Sequence, residues 1–242
     1  MKKKAQKKVQ KKESKPKAAG IGIRRTYVTF ILDDSGSMRS IRDAAITHFN
    51  EQVENIRAEM GTIDAKVNLT VFSSASEFPL FNKGMNEMVQ LTKDNYLADG
   101  PSTALYDAVG QTIAKIKAEI GDWDAKSVSH LFVVVTDGEE NSSTEYSADG
   151  IADMIQELQK NRWTFTYMGA NQNLAKLKEK LRIPAGNIMS YPATSRGIKM
   201  TGPATKRGFG RYFASMSSAS LSTSNCTVDN FYRDPQKKTQ VL

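Results

Sequence analysis

The middle of the chain alternates between short apolar runs and segments whose apolar residues recur at every third or fourth position. Residues 26–32 (TYVTFIL) and 130–136 (HLFVVVT) are almost continuously apolar or β-branched, which is typical of strands buried on both faces of a sheet. Residues 66–72 (KVNLTVF) alternate between polar and apolar side chains and also indicate a strand. Weaker patterns predict further strands at 163–168 and 188–191, and a short edge strand or hairpin within 78–91.

Segments with helical spacing separate these strands. In the first segment the apolar side chains lie three or four residues apart and would share one face: Ile41, Ala45, Phe49, Val53 and Ile56. The same spacing predicts helices at 41–56, 104–120, 148–159 and 174–181. Strands that alternate with such helices form parallel units with right-handed crossovers. We therefore expect an α/β fold, a doubly wound, mostly parallel, Rossmann-like sheet with helices on both faces and one short antiparallel edge strand.

The two ends of the chain differ from this central part. Residues 1–20 contain almost no sizeable apolar residue, so they are expected to form a disordered, Lys-rich tail. Residues 21–194 are predicted to form one domain. Residues 195–242 are basic and Ser-rich, and their glycines are expected to interrupt any long helix, which predicts an extension that is partly helical and then irregular.

Charge is divided along the chain in the same way. Residues 1–17 contain nine Lys and one Glu, whereas residues 18–194 contain 17 basic and 23 acidic residues. An acidic body therefore lies between basic ends, because residues 195–242 are again basic. A basic tail can remain solvated, or it can contact a polyanion such as nucleic acid through residues 2–17.

Several classes of protein are disfavoured by what the sequence lacks. It has no run of about 18 apolar residues that would span a membrane, and its Lys-rich start has no apolar segment of a secretion signal behind it. One cysteine excludes an internal disulfide, and two histidines with one cysteine cannot form a four-ligand zinc site. A cytoplasmic protein is expected.

A polar segment, Asp33-Asp34-Ser35-Gly36-Ser37-Met38, directly follows the first buried strand. Alternate residues can turn the same way, so Asp33, Ser35 and Ser37 would offer one carboxylate and two hydroxyls. Ligand sets of oxygen alone suit hard cations such as Mg²⁺, Mn²⁺ or Ca²⁺. The same residue types also begin helices, so an N-terminal cap is the alternative interpretation.

Two further segments favour the metal. Asp137, in VTDGEEN, ends the second buried strand, and Thr103, in PSTALYDA, opens a helix. Together with Asp33-x-Ser35-x-Ser37, these segments resemble the metal-ion-dependent adhesion site of the von Willebrand factor type A family, over roughly residues 25–192. The chain departs from many relatives in having Pro101-Ser102 where they have a glycine pair, which concerns the course of the loop. Residues 167–172 (YMGANQ) also resemble a sub-group carried by bacteria and their phages.

The resemblance implies one bound divalent ion, Mg²⁺ or else Mn²⁺ or Ca²⁺, with Asp33, Ser35, Ser37, Thr103 and Asp137 as its ligands. It also implies that an unidentified protein partner completes the coordination with an acidic side chain, so the chain would be an interaction module and not an enzyme. One alternative is a nucleic-acid-associated protein that uses residues 2–17, with the domain as scaffold. A remote alternative is a metal-dependent phosphoryl hydrolase, which would need a second aspartate at position 35, where this chain has serine.

Other polar residues near these segments are assigned structural roles. Asp34 is expected at the surface or in a cap, and Glu139 and Glu140 are expected to be solvated loop residues. Asp107 lies one turn into a helix, where a carboxylate stabilises the helix dipole. His48 lies among apolar helix positions and is expected to be half-buried.

Overall fold

Six strands form one sheet in the order β3-β2-β1-β4-β5-β6. The structure is a computed structural model, in which residues 22–170, 174–219 and 227–233 are described. All neighbouring strands are parallel except β2 and β3. The strands are β1 (Arg25–Asp33), β2 (Asp64–Phe72), β3 (Ser76–Gly84), β4 (Val128–Thr136), β5 (Trp163–Ala170) and β6 (Ile188–Tyr191).

Among the described residues, five α-helices cover the sheet. Their bounds are α1 (Arg42–Glu59), α2 (Leu105–Glu119), α3 (Ala148–Gln159), α4 (Leu174–Leu181) and α5 (Ser195–Ser218), and a 3₁₀-helix (Gly36–Ile41) precedes α1. Apolar residues of α1 and α5 share one core with one face of the sheet, while those of α2, α3 and α4 share a second core with the other face. The predicted doubly wound, mostly parallel sheet with helices on both faces and an antiparallel edge strand is therefore confirmed.

The strongest apolar runs become the two central strands. All nine residues of β4 are buried, as are eight of the nine in β1. Such strands are covered on both faces, which explains why their sequences are nearly continuous in apolar and β-branched residues. Leu32 pairs with Val135, so the two strands end side by side at the carboxyl edge of the sheet.

The prediction that glycines interrupt the C-terminal segment is wrong, because α5 runs unbroken for 24 residues through Pro203. Gly208 allows close packing: a Cβ placed there would lie 2.4 Å from the ring of Phe231. Burial of Phe209, Tyr212 and Phe213 stabilises the helix more than its glycines weaken it. Residues 195–218 therefore pack as part of the domain body.

The predicted Lys-rich tail, residues 1–20, lies outside the described residues, so its contact with nucleic acid stays a prediction. No helix in the described part of the chain is long and apolar enough to cross a membrane.

Candidate metal site

The candidate site lies between β1 and β4, where the order in which the chain adds strands to the sheet reverses. From β1 the chain continues to β2 on one side, and from β4 it continues to β5 on the other, so the loops after β1 and β4 separate and leave a crevice. Open α/β sheets bind ligands at this switch point. Asp33 is the last residue of β1, and Asp137 directly follows β4.

Hydrogen bonds join the two serines to both carboxylates. The amide of Ser35 donates to Asp33 Oδ1 at 2.8 Å, and Ser35 Oγ lies 3.0 Å from Ser37 Oγ. Ser37 Oγ donates in turn to Asp137 Oδ1 at 2.6 Å. The structure thus brings together four residues that are separated by up to about 100 positions in the sequence.

Thr103 borders the same space. A Cβ placed on Gly138 would lie 3.0 Å from Thr103 Oγ1 and 3.5 Å from Asp33 Oδ2. Both oxygens therefore lie close to the same side of this glycine. Asn141 fixes Thr103 from the other side: its Oδ1 accepts from the Thr103 amide at 2.9 Å, and its amide donates to the Thr103 carbonyl at 3.1 Å. All five predicted residues therefore converge, and they are called the metal-site cluster below: Asp33, Ser35, Ser37, Thr103 and Asp137.

Two buried tyrosines support the cluster from below. Tyr96 donates its hydroxyl to the carbonyl of Asp33 at 2.5 Å, and Tyr191 donates to the carbonyl of Thr136 at 3.0 Å. Thr136 Oγ1 donates to Asp33 Oδ2 at 2.5 Å, which orients that carboxylate. Sequence reasoning missed these residues, because a tyrosine in a loop or short strand carries no signal of the carbonyl that it will contact.

The prediction that Asp34 lies at the surface or in a cap is met only in part, because the residue is half-buried and its carboxylate accepts a backbone amide from a neighbouring loop. Its Oδ1 accepts from the amide of Ala98 at 2.5 Å, and its carbonyl accepts from the amide of Gly100 at 2.9 Å. The Gly100 carbonyl accepts from Gly36 at 2.8 Å. These bonds determine the course of the loop that leads through Pro101-Ser102 to Thr103.

The carboxylates of Glu140 and Asp107 accept hydrogen bonds from backbone amides, contacts that the sequence did not predict for them. Glu140 Oε1 accepts from the amides of Ser142 and Ser143, and its Oε2 accepts from the amide of Tyr106 at 3.0 Å. The Asp107 carboxylate is buried and accepts three backbone amides, those of residues 144–146. Together they attach the loop that carries Asp137 to the helix that follows Thr103. The expectation of a solvated Glu140 is therefore wrong.

The electrostatics of the cluster favour a bound cation. Burial raises the pKa of Asp33, although hydrogen bonds from Thr136 and Ser35 oppose that shift and the nearby charge of Asp137 adds to it. Burial also raises the pKa of Asp137, against the hydrogen bond from Ser37. Each carboxylate is thus costly to ionise without a counter-charge. Within the described residues no third acidic, His or Cys side chain joins them, so hydroxyls provide the remaining oxygens.

Neither histidine belongs to the cluster. His48 is buried within α1, and His130 stacks between the rings of Tyr27 and Trp163 near the start of β4, at the opposite edge of the sheet from Asp137. Burial lowers the pKa of each to about 4, so both are neutral near pH 7. The expectation that His48 is half-buried is corrected to full burial.

The sheet is doubly wound, and the candidate ligands at its switch point are all oxygen atoms. The protein is therefore an α/β domain with a candidate site for a hard cation. Residues 28–195 match the model of the von Willebrand factor type A domain, and the chain belongs to this family. No curated protein matches the sequence. The narrower resemblance to a bacterial and phage sub-group stays a prediction, and two of its residues, Asn171 and Gln172, lie outside the described part of the chain.

Solved structures share the fold. Proximal thread matrix protein 1 from the mussel byssus, described with a zinc-occupied MIDAS motif, has 11% identity and a TM-score of 0.54, over 78% of this chain and 46% of that one. Another structure of the same mussel protein gives 11% identity and a TM-score of 0.53, over 76% and 45%. The chain thus spans less than half the length of these proteins. At this identity the likeness shows the fold alone.

Proposed function

We propose that the chain is a metal-ion-dependent protein-interaction module. The metal-site cluster would bind one divalent cation, Mg²⁺ in the first instance, and a partner protein would supply an acidic side chain. The convergence of two carboxylates and three hydroxyls in one crevice carries this proposal. The residues fit such an ion, because every candidate ligand atom is oxygen and Gly138 leaves the space beside Thr103 and Asp33 free of a side chain.

The preference of hard divalent ions for oxygen ligands supports a carboxylate as the partner's ligand. Asp33 and Asp137 would balance the charge of one divalent ion only if both coordinate it directly, and the hydroxyls add no charge. A bound ion would supply an electrophilic position at the crevice, and an incoming carboxylate suits such a position. Membership of the von Willebrand factor type A family supports the same proposal, because domains of this family commonly mediate metal-dependent protein interactions.

We propose binding and not catalysis as the role of the cluster. The second position of the Asp33 segment is Ser35, whose hydroxyl bonds to Ser37, whereas a phosphoryl-transfer site of the type considered above would need a second aspartate there. Both histidines are buried elsewhere in the fold, so neither is placed to move protons at the cluster. Turnover of a model phosphoester that depends on Mg²⁺ and is lost in Asp33→Asn would overturn this part of the proposal.

Affinity capture tests the binding function. The tagged full chain is used to capture proteins from its native cells with Mg²⁺, with a chelator, and with Asp137→Ala in place of the wild type. We expect one set of partners that is captured with Mg²⁺ and lost under both other conditions. Asp124→Ala removes an exposed carboxylate before β4, at the opposite edge of the sheet, and should leave capture unchanged. Capture that persists in chelator would show that the contact does not depend on a metal.

A further inference from the structure

A cavity of about 500 Å³ lies at the start of α1, beside the segment that carries Ser37. The start of α5 and the loop around Lys93 form its other walls. Its lining, called the basic cavity below, consists of Arg39, Ser40, Arg42, Asp43, Lys93 and Ser195.

Positive charge prevails in the basic cavity, with three cationic side chains against one carboxylate. That carboxylate, Asp43, is shared: it accepts from Lys93 Nζ at 2.7 Å and lies 4.0 Å from Arg42 Nε. Arg39 makes only a long hydrogen bond, 3.5 Å, to the carbonyl of Ala98, and no ion pair with another residue of the described part of the chain is found for it. The first turn of α5 contains no acidic residue to offset the partial positive charge of the helix start at Ser195.

The basic cavity adjoins the metal-site cluster. Arg39 follows Ser37 by two residues in the same 3₁₀-helix, in which each residue advances about 2 Å. Ala98, which accepts the hydrogen bond from Arg39, donates its own amide to Asp34, between two residues of the cluster. An extended peptide advances about 3.3 Å per residue, so two of its side chains a few residues apart could reach both places.

We propose that the basic cavity binds a second acidic side chain of the same protein segment whose first carboxylate reaches the metal-site cluster. This inference rests on the proposed function. A partner carboxylate added to an ion that Asp33 and Asp137 both coordinate directly leaves excess negative charge, which the adjoining cations offset. An acidic protein segment fits better than nucleic acid, because the cavity lining contains no aromatic ring on which a base could stack.

Titration of the ¹⁵N-labelled full chain with synthetic peptides tests this inference. In a Gly/Ser background, one peptide carries a single aspartate and the other carries two acidic residues separated by two neutral ones. Amide shifts are followed in Mg²⁺ and in chelator. We expect the second acid to tighten binding about 1.5-fold to fivefold, which is the range for an exposed charge contact, and to shift the amide of Lys93 as well as that of Ser37.

Variants identify the cations responsible. Arg39→Gln/Arg42→Gln should remove the gain from the second acid while the single-acid peptide still binds. Lys93→Gln should reduce the gain without touching a backbone contact, because the described side-chain contact of Lys93 is with Asp43 alone. Lys126→Gln/Lys160→Gln is the matched control for net charge, since both exposed lysines lie near the opposite edge of the sheet.

The outcomes separate the two proposals. If both peptides bind with equal affinity in Mg²⁺ and the Lys93 amide does not shift, the proposed role of the basic cavity is overturned. The proposed metal-dependent function would still stand. Peptide binding that is unchanged in chelator would overturn the proposed function. An absence of shifts with either peptide would overturn both, and tighter binding of a short oligothymidylate at Lys93 would replace the acidic segment by nucleic acid.

Discussion

Ser37 Oγ lies 2.6 Å from Asp137 Oδ1 and joins the loop after β1 to the loop after β4. The two residues are 100 positions apart in the chain, yet their strands are neighbours at the centre of the sheet. The hydrogen bond between Ser37 and Asp137 therefore makes the position of each side chain depend on the loop that carries the other. Changes on either side of this contact should be measurable as changes in metal affinity.

Mg²⁺ should stabilise the wild type and not Asp137→Ala. At a concentration a hundredfold above the Kd, a ligand that binds only the folded state adds about 2.7 kcal/mol, which raises Tm by roughly 5–10 °C for a protein of this size. Differential scanning calorimetry with and without Mg²⁺ measures the shift. Asp124→Ala is the control and should retain it. An equal shift in Asp137→Ala would exclude Asp137 as a ligand.

Gly100→Ala should destabilise the protein by about 1–3 kcal/mol, because the new Cβ would lie 2.2 Å from Ser73 Cβ. Urea denaturation measures the change in the free energy of unfolding. Gly121→Ala is the matched control, since a Cβ there meets no atom within 4 Å. If both variants unfold at the same urea concentration, the loop before Thr103 is less constrained than the bonds of Asp34 indicate.

Tyr96→Phe should weaken Mg²⁺ binding without touching a candidate ligand side chain. Its hydroxyl donates to the Asp33 carbonyl at 2.5 Å, and loss of this bond leaves a buried acceptor unsatisfied, at a cost of about 1–3 kcal/mol. Isothermal titration calorimetry gives the affinity, and urea denaturation gives the stability. Tyr146→Phe provides the control at a partly exposed ring. Full affinity in Tyr96→Phe would show that the Asp33 backbone needs no such support.

Acid should destabilise the fold through its two histidines. Burial lowers the pKa of His48 and of His130 to about 4 in the folded state, below the ordinary value of 6.5, so the unfolded chain binds protons first. Stability is therefore lost as the pH falls from 6.5 towards 4, by up to about 3 kcal/mol for each histidine. Urea midpoints across this range should fall less steeply in His48→Gln. A slope equal to that of the wild type would show that His48 gains its proton without unfolding.

The sequence patterns were most informative where burial is periodic. The bounds of α3, α4 and β6 agree with those predicted from the sequence, because alternating or helical spacing is a local property. The unbroken length of α5, where the sequence predicted only helical pieces, was missed for the opposite reason. Its glycines have low helix propensity, and only the surfaces of Phe231 and of α1, distant in sequence, make a long helix favourable.

The candidate site divides in the same way. The five cluster residues follow strands or open a helix, and those positions can be read from the sequence together with the family motif. The supporting contacts of Tyr96, Tyr191 and Asp34 could not be predicted, because each side chain bonds to a backbone group whose position depends on the folded sheet. Glu140 and Asn141 stand in the quoted VTDGEEN segment, so their proximity to Asp137 was the available signal.

The packing of α5 against α1 has a consequence for synthesis. One core contains Phe30 and Phe49 from early in the chain, and Phe213 from near its end. A nascent chain that has completed all six strands would still expose this apolar face until α5 leaves the ribosome. Folding therefore finishes late, and a chain that stalls before residue 195 should be a substrate for chaperones and proteases.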